Sequence, residues 1–297
     1  MLAWFGRRGR AHLPWRVDRS PYRVLVSEFM LQQTQVERVL GPFAAFVARF
    51  PSFEALAAAS QADVVRAWRG LGYNSRALRL HASARAVCAG YGGVLPREEA
   101  ALRALPGIGA YTARAVMAFA FDADVVAADV NVRRIVHRAQ FGFEHPPLAS
   151  ERELDAAALA ALPRGAGFAF NSALMDLGSE LCGARAAKCL VCPLREDCAA
   201  APLDAERLAE ASRVRARAGG PQQRLPFEST TRFVRGRVLD VLRGLAPDGS
   251  ISLLDLDARL APLLAAHAPG AVANAVATLK RDGLVAGAEE LRLSDGS

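Results

Sequence analysis

Apolar side chains recur at three- and four-residue spacing through most of the first two hundred residues of this chain. The segments FEALAAASQADVVRAWRGLG and SERELDAAALAALPRG show this spacing, and glycine or proline separates one apolar stretch from the next. Such a period is typical of amphipathic helices, and alternating runs typical of strands are scarce. The pattern therefore predicts an all-α domain of many short helices over residues 1–200.

The pattern changes twice after residue 200. Residues 201–229 contain the stretch AGGPQQRLPFES, which has no apolar period and is predicted to be a linker. From residue 230 to 297, three helical patterns precede a short terminal hairpin, which is the order of a winged helix. Winged helices serve both DNA and protein partners, so the order alone indicates neither.

Positive charge dominates the chain, which has a formal net charge of +7 and a pI near 9.6. This balance favours a polyanionic partner only modestly. Lysine occurs only at Lys188 and Lys280, so the first 187 residues contain no amine side chain. No apolar run is long enough to span a bilayer, and the N-terminus lacks the apolar region of a secretory signal. These features predict a cytoplasmic protein without membrane contact, and a monomer is the default expectation.

Four of the five cysteines lie within residues 182–198, at Cys182, Cys189, Cys192 and Cys198. Their spacing is C-x6-C-x2-C-x5-C. In a reducing compartment, four thiols this close in sequence indicate a metal centre and not disulfides. The spacing alone is compatible with zinc and with an iron–sulfur cluster. The fifth, Cys88, is predicted to be a buried apolar residue.

A tight turn between two helices is predicted in the segment LPGIGAYTA, where Pro106, Gly107 and Gly109 follow one another closely. The second helix opens with backbone N–H groups that are free to bind a phosphate. Glycine would let a DNA backbone approach those amides closely, since it carries no side chain. An ordinary helix–helix connection would have the same sequence.

Two carboxylates stand out. Glu28 lies among apolar residues in PYRVLVSEFMLQQTQV, where burial would raise its pKa toward that of a general acid at neutral pH. Asp129 lies in VVAADVNVRRIVHR at a predicted helix start, where it could be an N-cap as well as a catalytic group. A protonated and an ionised carboxyl group can together cleave a glycosidic bond.

The cysteine spacing and the hairpin together resemble the superfamily of endonuclease III and the adenine DNA glycosylases (MutY). The segments LPWR (13–16), SEFMLQQTQV, GLGY (70–73) and MDLG (175–178) match the adenine glycosylases, within a resemblance that spans about residues 5–200. This resemblance implies a helix–hairpin–helix DNA glycosylase fold, a 4Fe–4S cluster on the four cysteines, and double-stranded DNA as partner. Arg185, Lys188 and Arg195 on the cysteine loop would then suit phosphate contacts, although solvated surface charge explains them nearly as well.

The same resemblance implies the catalytic roles. Glu28 would protonate adenine at N7, and Asp129 would stabilise the cationic sugar. Bifunctional relatives have a lysine where this chain has Tyr111, so we expect a monofunctional enzyme without abasic-site lyase activity. The Tyr111 hydroxyl could form a hydrogen bond in the active site, or the ring could simply pack in the core.

Further site residues follow from the resemblance alone. The base pocket would be lined by Trp15, Arg16, Leu31, Val36 and Ser172. DNA contacts would come from Gln32, Gln33, Thr34, Tyr73, Gly107, Gly109 and Asn131. Of these, Gln33, Thr34 and Tyr73 would wedge into the duplex around an oxidised guanine opposite the adenine.

The chain departs from the adenine glycosylases at three places. Asn74 replaces a tyrosine that is common after GLGY, and Ser172 stands where glutamine or glutamate is common. Residues 230–297 are too short for the Nudix-like domain that reads 8-oxoguanine in typical members. The dependence on 8-oxoguanine, as against guanine, is therefore open.

Two alternatives follow. A glycosylase for thymine or uracil opposite guanine would share Tyr111 and the cluster, but Glu28 weighs against it. A non-catalytic iron–sulfur protein that binds DNA would have no use for both Glu28 and Asp129.

Overall fold

The computed structural model describes residues 1–143, 148–204, 206–210, 213 and 226–296. The predicted all-α architecture of the first two hundred residues is confirmed. Its helices are α1 (Leu2–Arg8), α2 (Pro14–Val17), α3 (Pro21–Leu31), α4 (Val36–Arg49), α5 (Phe53–Ala58), α6 (Gln61–Ala67), α7 (Ser75–Tyr91), α8 (Glu99–Arg103), α9 (Ala110–Phe121), α10 (Val130–Val136), α11 (Glu151–Ala160) and α12 (Gly167–Glu180). A π-helical turn, His137–Phe141, extends α10. Among the residues described, no helix has the length and apolarity that crossing a membrane requires.

The chain forms two compact units that do not follow the order of the sequence. The first unit contains Met1–Glu28, Pro96–Ala104 and Ile108–Gln222, and the second contains Phe29–Leu95, Leu105–Gly107 and Gln223–Ser297. The sequence-based division at residues 200 and 230 stays a prediction, because most of the linker lies outside the described residues.

In the first unit, α12 packs against α9, α10 and α1. Its apolar residues Phe170, Leu174 and Leu177 are buried with residues of α10. The helix begins at Gly167, where a Cβ atom would lie 2.0 Å from the Ala123 carbonyl oxygen, so this close approach of two backbones requires glycine. This contact holds the start of α12 against the segment that leads to α10.

The second unit includes a small C-terminal module, residues 230–296, whose order of elements confirms the predicted winged helix. Its elements are α13 (Thr231–Arg243), β1 (Ile251–Ser252), α14 (Leu253–Leu260), α15 (Ala271–Arg281), β2 (Val285–Ala286) and β3 (Glu290–Leu293). The strands form an antiparallel sheet in the order β1-β3-β2, with Ile251 opposite Leu291 and Val285 opposite Leu293.

The module shares its hydrophobic core with α6. Ala62 and Val65 of α6 are buried in the same cluster as Val238 and Leu239 of α13. The Gln61 amide also donates to the Gly283 carbonyl oxygen at 2.7 Å. Burial of this kind stabilises by about 25 cal/mol per Å² of apolar surface removed from water, so the module is an integral part of the second unit.

A buried arginine organises the loops of the second unit. The Arg76 guanidinium donates to the carbonyl oxygens of Phe29 (2.9 Å), Met30 (2.9 Å) and Leu71 (3.1 Å), and it is 4 % exposed. Burial lowers its pKa to about 10, which leaves it charged at neutral pH. Arg76 thus satisfies the carbonyl groups that the end of α3 leaves without helical partners.

We predict that Arg76→Ala lowers the free energy of unfolding by at least about 3 kcal/mol, because several buried carbonyl groups lose their donor at once. Urea denaturation followed by tryptophan fluorescence measures this. Arg79→Ala, an exposed position on the same helix, is the control and should cost little. Equal midpoints for the two variants would contradict the role of Arg76.

Candidate functional site

Among the described residues of the first unit, Glu28 is the most deeply buried carboxylate apart from Asp176. It lies on α3 among Val24, Leu25 and Val26, and it is 7 % exposed. Burial raises its pKa to about 7, while a hydrogen bond with Tyr111 and the charge of Arg16 lower it and the charge of Asp129 raises it. The carboxyl group is therefore close to half protonated at neutral pH, as a general acid requires.

Tyr111 lies in the first turn of α9, next to Glu28. Burial raises the pKa of its phenol well above the usual value, and the nearby charges of Glu28 and Asp129 raise it further. The phenol therefore keeps its proton and donates it in a hydrogen bond to Glu28. Of the two expectations for Tyr111, the structure shows the hydrogen bond, which its hydroxyl forms with Glu28.

Asp129 is the N-cap of α10. Its Oδ1 accepts hydrogen bonds from the backbone N–H groups of Asn131 (2.9 Å) and Val132 (2.8 Å), and its Oδ2 accepts from the Asn131 side chain (2.8 Å). Three N–H donors therefore fix the orientation of this carboxylate at a helix N-terminus. The structure therefore confirms the predicted N-cap, and the same carboxylate lies within electrostatic range of Glu28.

Polar side chains connect Asp129 to the cysteine loop. The Asn131 side-chain oxygen accepts from Arg134 (2.9 Å), and Arg134 in turn donates to the carbonyl oxygens of Cys182 (2.8 Å) and Gly178 (2.9 Å). Both ends of the Asn131 amide are thus engaged within the protein. Its side chain positions Asp129, whereas the DNA contact expected of it stays a prediction.

A second buried carboxylate, Asp176 of α12, binds two arginines. Arg16 donates to its Oδ2 at 2.8 Å, and Arg10 donates to its Oδ1 at 2.7 Å. Burial by itself would raise the pKa of Asp176, but the hydrogen bonds and charges of Arg16 and Arg10 outweigh it and hold the pKa below its usual range. This group fixes Arg16, whose charge acts on Glu28.

The predicted base-pocket residues divide between the two units. Trp15, Arg16 and Ser172 belong to the first unit with Glu28, while Leu31 and Val36 belong to the second. Ser172 is fully buried, and its hydroxyl has no hydrogen-bond partner among the described residues. The contact with a bound base that the resemblance implies for Ser172 stays a prediction.

The expected DNA-wedging residues lie on two loops of the second unit. Gln33 and Tyr73 have positive φ angles of 55° and 44°, which residues other than glycine rarely adopt. Tyr73 is 39 % exposed. Arg76 binds both loops, since it donates to Thr34 Oγ1 at 3.2 Å and to the Gly72 carbonyl oxygen at 3.2 Å. It thus maintains this strained geometry.

The predicted hairpin connects α8 and α9. Gly107 has a φ of +79°, and a Cβ atom there would lie 2.7 Å from Arg79 Cβ, so glycine is required. Gly109 is the N-cap of α9, and the space where its Cβ atom would lie is open. An anion could approach the first N–H groups of α9 at this point.

The four cysteines of residues 182–198 line one small pocket, together with Arg138, Lys188 and Arg195. The fully buried Arg138 donates to Cys182 Sγ at 3.4 Å and to the Gly183 carbonyl oxygen at 2.8 Å. Burial raises the pKa of Cys192, and the other three thiols raise it further. The four thiols therefore form one electrostatic group beside a cation.

Several residues of this site were missed by the sequence prediction. Arg10, Arg134 and Arg138 carry no local signal, because 35 of the 37 basic residues are arginine. Asp176 does carry a local signal, since it is an acidic residue in an apolar helix, as Glu28 is.

Comparisons with known proteins identify the relatives of this chain. A family model described as HhH-GPD superfamily base excision DNA repair protein matches residues 26–168. The adenine DNA glycosylase of Mycolicibacterium smegmatis is 45% identical over 82% of this chain and 79% of its own length. That of Mycobacterium tuberculosis is 42% identical over 86% of this chain and 81% of its own length.

Two solved structures have a similar fold. A thermostable thymine-DNA glycosylase matches with a TM-score of 0.61 and 32% identity, over 66% of this chain and 91% of that one. A non-covalent endonuclease III–DNA complex matches with a TM-score of 0.58 and 21% identity, over 71% of this chain and 94% of that one.

We predict that Glu28→Gln stabilises the protein at pH 8 but not at pH 4. Between the usual pKa of 4.5 and the folded-state pKa of about 7, the folded chain binds one proton more than the unfolded chain. Stability therefore falls as the pH rises through this window, by on the order of 3 kcal/mol. Urea denaturation of both proteins from pH 4 to 8 measures it, and parallel pH curves would contradict the raised pKa.

Proposed function

The chain belongs to the adenine DNA glycosylase family, and from that premise we propose that it removes adenine mispaired with 8-oxoguanine or guanine from double-stranded DNA. It does so by hydrolysing the N-glycosidic bond. The observation that carries this proposal is the buried Glu28 carboxyl group, hydrogen-bonded to Tyr111 and within electrostatic range of Asp129.

Glu28 is the general acid. A flipped adenine leaves more readily when its ring is protonated, and N7 is the position expected from the family resemblance. The pKa of about 7 keeps a large share of Glu28 protonated at neutral pH. The Tyr111 hydrogen bond stabilises the ionised form, so that the carboxyl group can also release its proton.

Asp129 stabilises the sugar as positive charge develops on it. Its three N–H donors hold the carboxylate in place before the reaction begins, so little reorganisation is needed. The C1′–N9 bond breaks, its electron pair goes to the base, and Glu28 supplies the proton. Water adds at C1′ and loses a proton, which leaves an abasic site.

The DNA backbone stays intact in this reaction. A lyase step begins with an amine that attacks C1′ and forms a Schiff base. Tyr111 is a phenol that keeps its proton, and no lysine precedes Lys188. The enzyme is therefore a monofunctional glycosylase.

The four cysteines hold a 4Fe–4S cluster. All four thiols line one pocket, so these residues could hold a metal centre. Four cysteine ligands are compatible with zinc and with an iron–sulfur cluster, and the family resemblance favours the cluster. All four ligands are protein thiolates, so the cluster is structural.

A cluster on these cysteines would support the reaction only by holding their loop in place. Arg134 connects the backbone of Cys182 to Asn131, and Asn131 orients Asp129. A folded cysteine loop therefore supports the position of Asp129.

The enzyme works as a monomer on chromosomal DNA, at the nucleoid in the cytoplasm.

A second candidate function is the removal of thymine or uracil opposite guanine. The similarity to the solved thymine-DNA glycosylase favours it. The buried Glu28 favours adenine, because a purine gains more from protonation of its ring.

We predict that the protein releases adenine from A:8-oxoguanine and A:G duplexes, and that strand cleavage appears only after alkali. Glu28→Gln should lower the single-turnover rate by at least about a thousandfold, because the proton donor is lost, and should leave duplex binding nearly unchanged. Gel analysis of end-labelled A:8-oxoguanine, A:G, T:G and U:G duplexes measures it. Release of thymine or uracil alone would support the second candidate, and full activity of Glu28→Gln would overturn the acid role.

The pH dependence of the same rate tests Glu28 further. A general acid must be protonated, so the single-turnover rate should fall as the pH rises through about 7. A rate that increases steadily from pH 6 to 9 would contradict this assignment.

We predict about four iron and four sulfide ions per chain after anaerobic purification, with broad visible absorption that zinc, a d¹⁰ ion, does not give. Cys192→Ala should lose most of the iron, whereas Cys88→Ala, which changes the cysteine outside the loop, should keep it. Metal analysis and absorption spectra measure both variants. One zinc ion per chain would overturn the cluster.

A further inference from the structure

The C-terminal module contacts the loop that carries Tyr73, and both belong to the second unit. Arg243 of α13 donates to the Asn74 side-chain oxygen at 2.6 Å and to the Val65 carbonyl oxygen at 3.0 Å. Its side chain is only 5 % exposed. Asn74, one of the departures from the family pattern, is therefore the point at which the module holds this loop.

The same helix places a second arginine on Tyr73 itself. The Arg232 guanidinium carbon lies 4.5 Å from the centroid of the Tyr73 ring. Arg232 is exposed. The other arginines of α13 pair with acids, Arg235 with Asp282 and both Arg237 and Arg243 with Asp240. In the part of the chain that the structure describes, Arg232 has no such ion pair.

Other cations surround this loop. Arg38 donates to the Gly70 carbonyl oxygen at 3.0 Å. Burial lowers the pKa of Arg243, and the charge of the nearby exposed Arg69 lowers it further. This surface of the second unit therefore attracts an anion, and the phosphates of a DNA strand supply negative charge at regular intervals.

The usual DNA-binding element of a winged helix does not offer this chemistry. Helix-turn-helix proteins place their recognition helix in the major groove, and α15 holds that position here. Its exposed residues Ala273, Asn274 and Ala277 carry no charge. Its cations, Lys280 and Arg281, lie at its C-terminal end. The side of the module beside Tyr73 is thus the better DNA surface.

We propose that Arg232 is a DNA-contacting residue that binds the phosphate backbone next to the point where Tyr73 enters the duplex. The module would thereby add to duplex affinity and orient the protein beside Tyr73, without itself distinguishing the opposite base. Stacking of a base on an aromatic ring is stronger than an exposed cation–π contact, so a base can take the place of Arg232 on Tyr73. The released guanidinium then binds the adjacent phosphate. This inference rests on the proposed function and on the duplex-wedging role that the family resemblance implies for Tyr73.

The test measures duplex binding by the full-length holoprotein, without catalysis. Fluorescence anisotropy is recorded at several salt concentrations with an undamaged duplex and with an 8-oxoguanine duplex whose opposite adenosine carries a 2′-fluorine that blocks cleavage. Arg232→Ala should bind about tenfold more weakly to both, and its logarithmic salt slope should fall by about 1, the value for one phosphate contact. Arg237→Ala is the matched control, since it removes a paired arginine from the same helix.

Two further variants sharpen the test. Arg232→Lys should keep the salt slope, because it keeps the charge. Tyr73→Ala and Arg232→Ala combined should lose less than the sum of the single losses, because the two side chains act together. Unchanged thermal melting of Arg232→Ala shows that the module remains docked.

The proposal is overturned if Arg232→Ala and Arg237→Ala bind with the same affinity and slope, and the module then faces a protein partner instead. Binding and base release are separate readouts. A wild-type protein that releases no adenine but shows the Arg232-dependent slope would refute the proposed function and leave this inference standing. Adenine release by the wild-type protein, with no change in salt slope for Arg232→Ala, would support the proposed function and refute this inference.

Discussion

The rest of the active site depends on one costly feature, a carboxyl group held out of water. Burial raises the pKa of Glu28 to about 7, and the ionised form then costs the folded state on the order of 3 kcal/mol. Such a cost is a sizeable part of the net stability of a domain. In the proposed reaction, this cost provides a proton donor near neutral pH. The Tyr111 hydrogen bond limits it by favouring the ionised form, and Asp129 increases it.

Arginines connect distant segments within each unit. In the first unit, Arg16 and Arg10 bind Asp176, and Arg134 connects Asn131 to the cysteine loop. In the second unit, Arg76 binds the two loops that carry Gln33 and Tyr73. A guanidinium can donate to several carbonyl groups at once and keeps its charge when buried, whereas a buried lysine readily loses its proton. The near absence of lysine therefore has two consequences. The buried basic side chains stay charged, and no lysine before Lys188 offers an amine that could attack the sugar in the proposed reaction.

The sequence alone was enough for the features that depend on local patterns. The helical period, the cysteine spacing, the LPGIG turn and an acid in an apolar helix are all local. The arginine hydrogen bonds are not local, since Arg10 and Asp176 are 166 residues apart in sequence and Arg76 and Phe29 are 47 apart. Periodicity cannot tell which of 35 arginines lies inside. The resemblance that implied a DNA contact for Asn131 likewise gave no sign that Asp129 and Arg134 engage both ends of its amide; the DNA contact stays a prediction.

Long-range contacts also hold the C-terminal module in the second unit. Its core includes Ala62 and Val65 of α6, and its Arg243 binds Asn74. Deleting the module would therefore expose apolar surface of the second unit and release the Tyr73 loop, whether or not the module contacts DNA. Truncation cannot separate these two contributions. A point change at the exposed Arg232 can, because it removes one charge and leaves the shared core and the Arg243 contact intact.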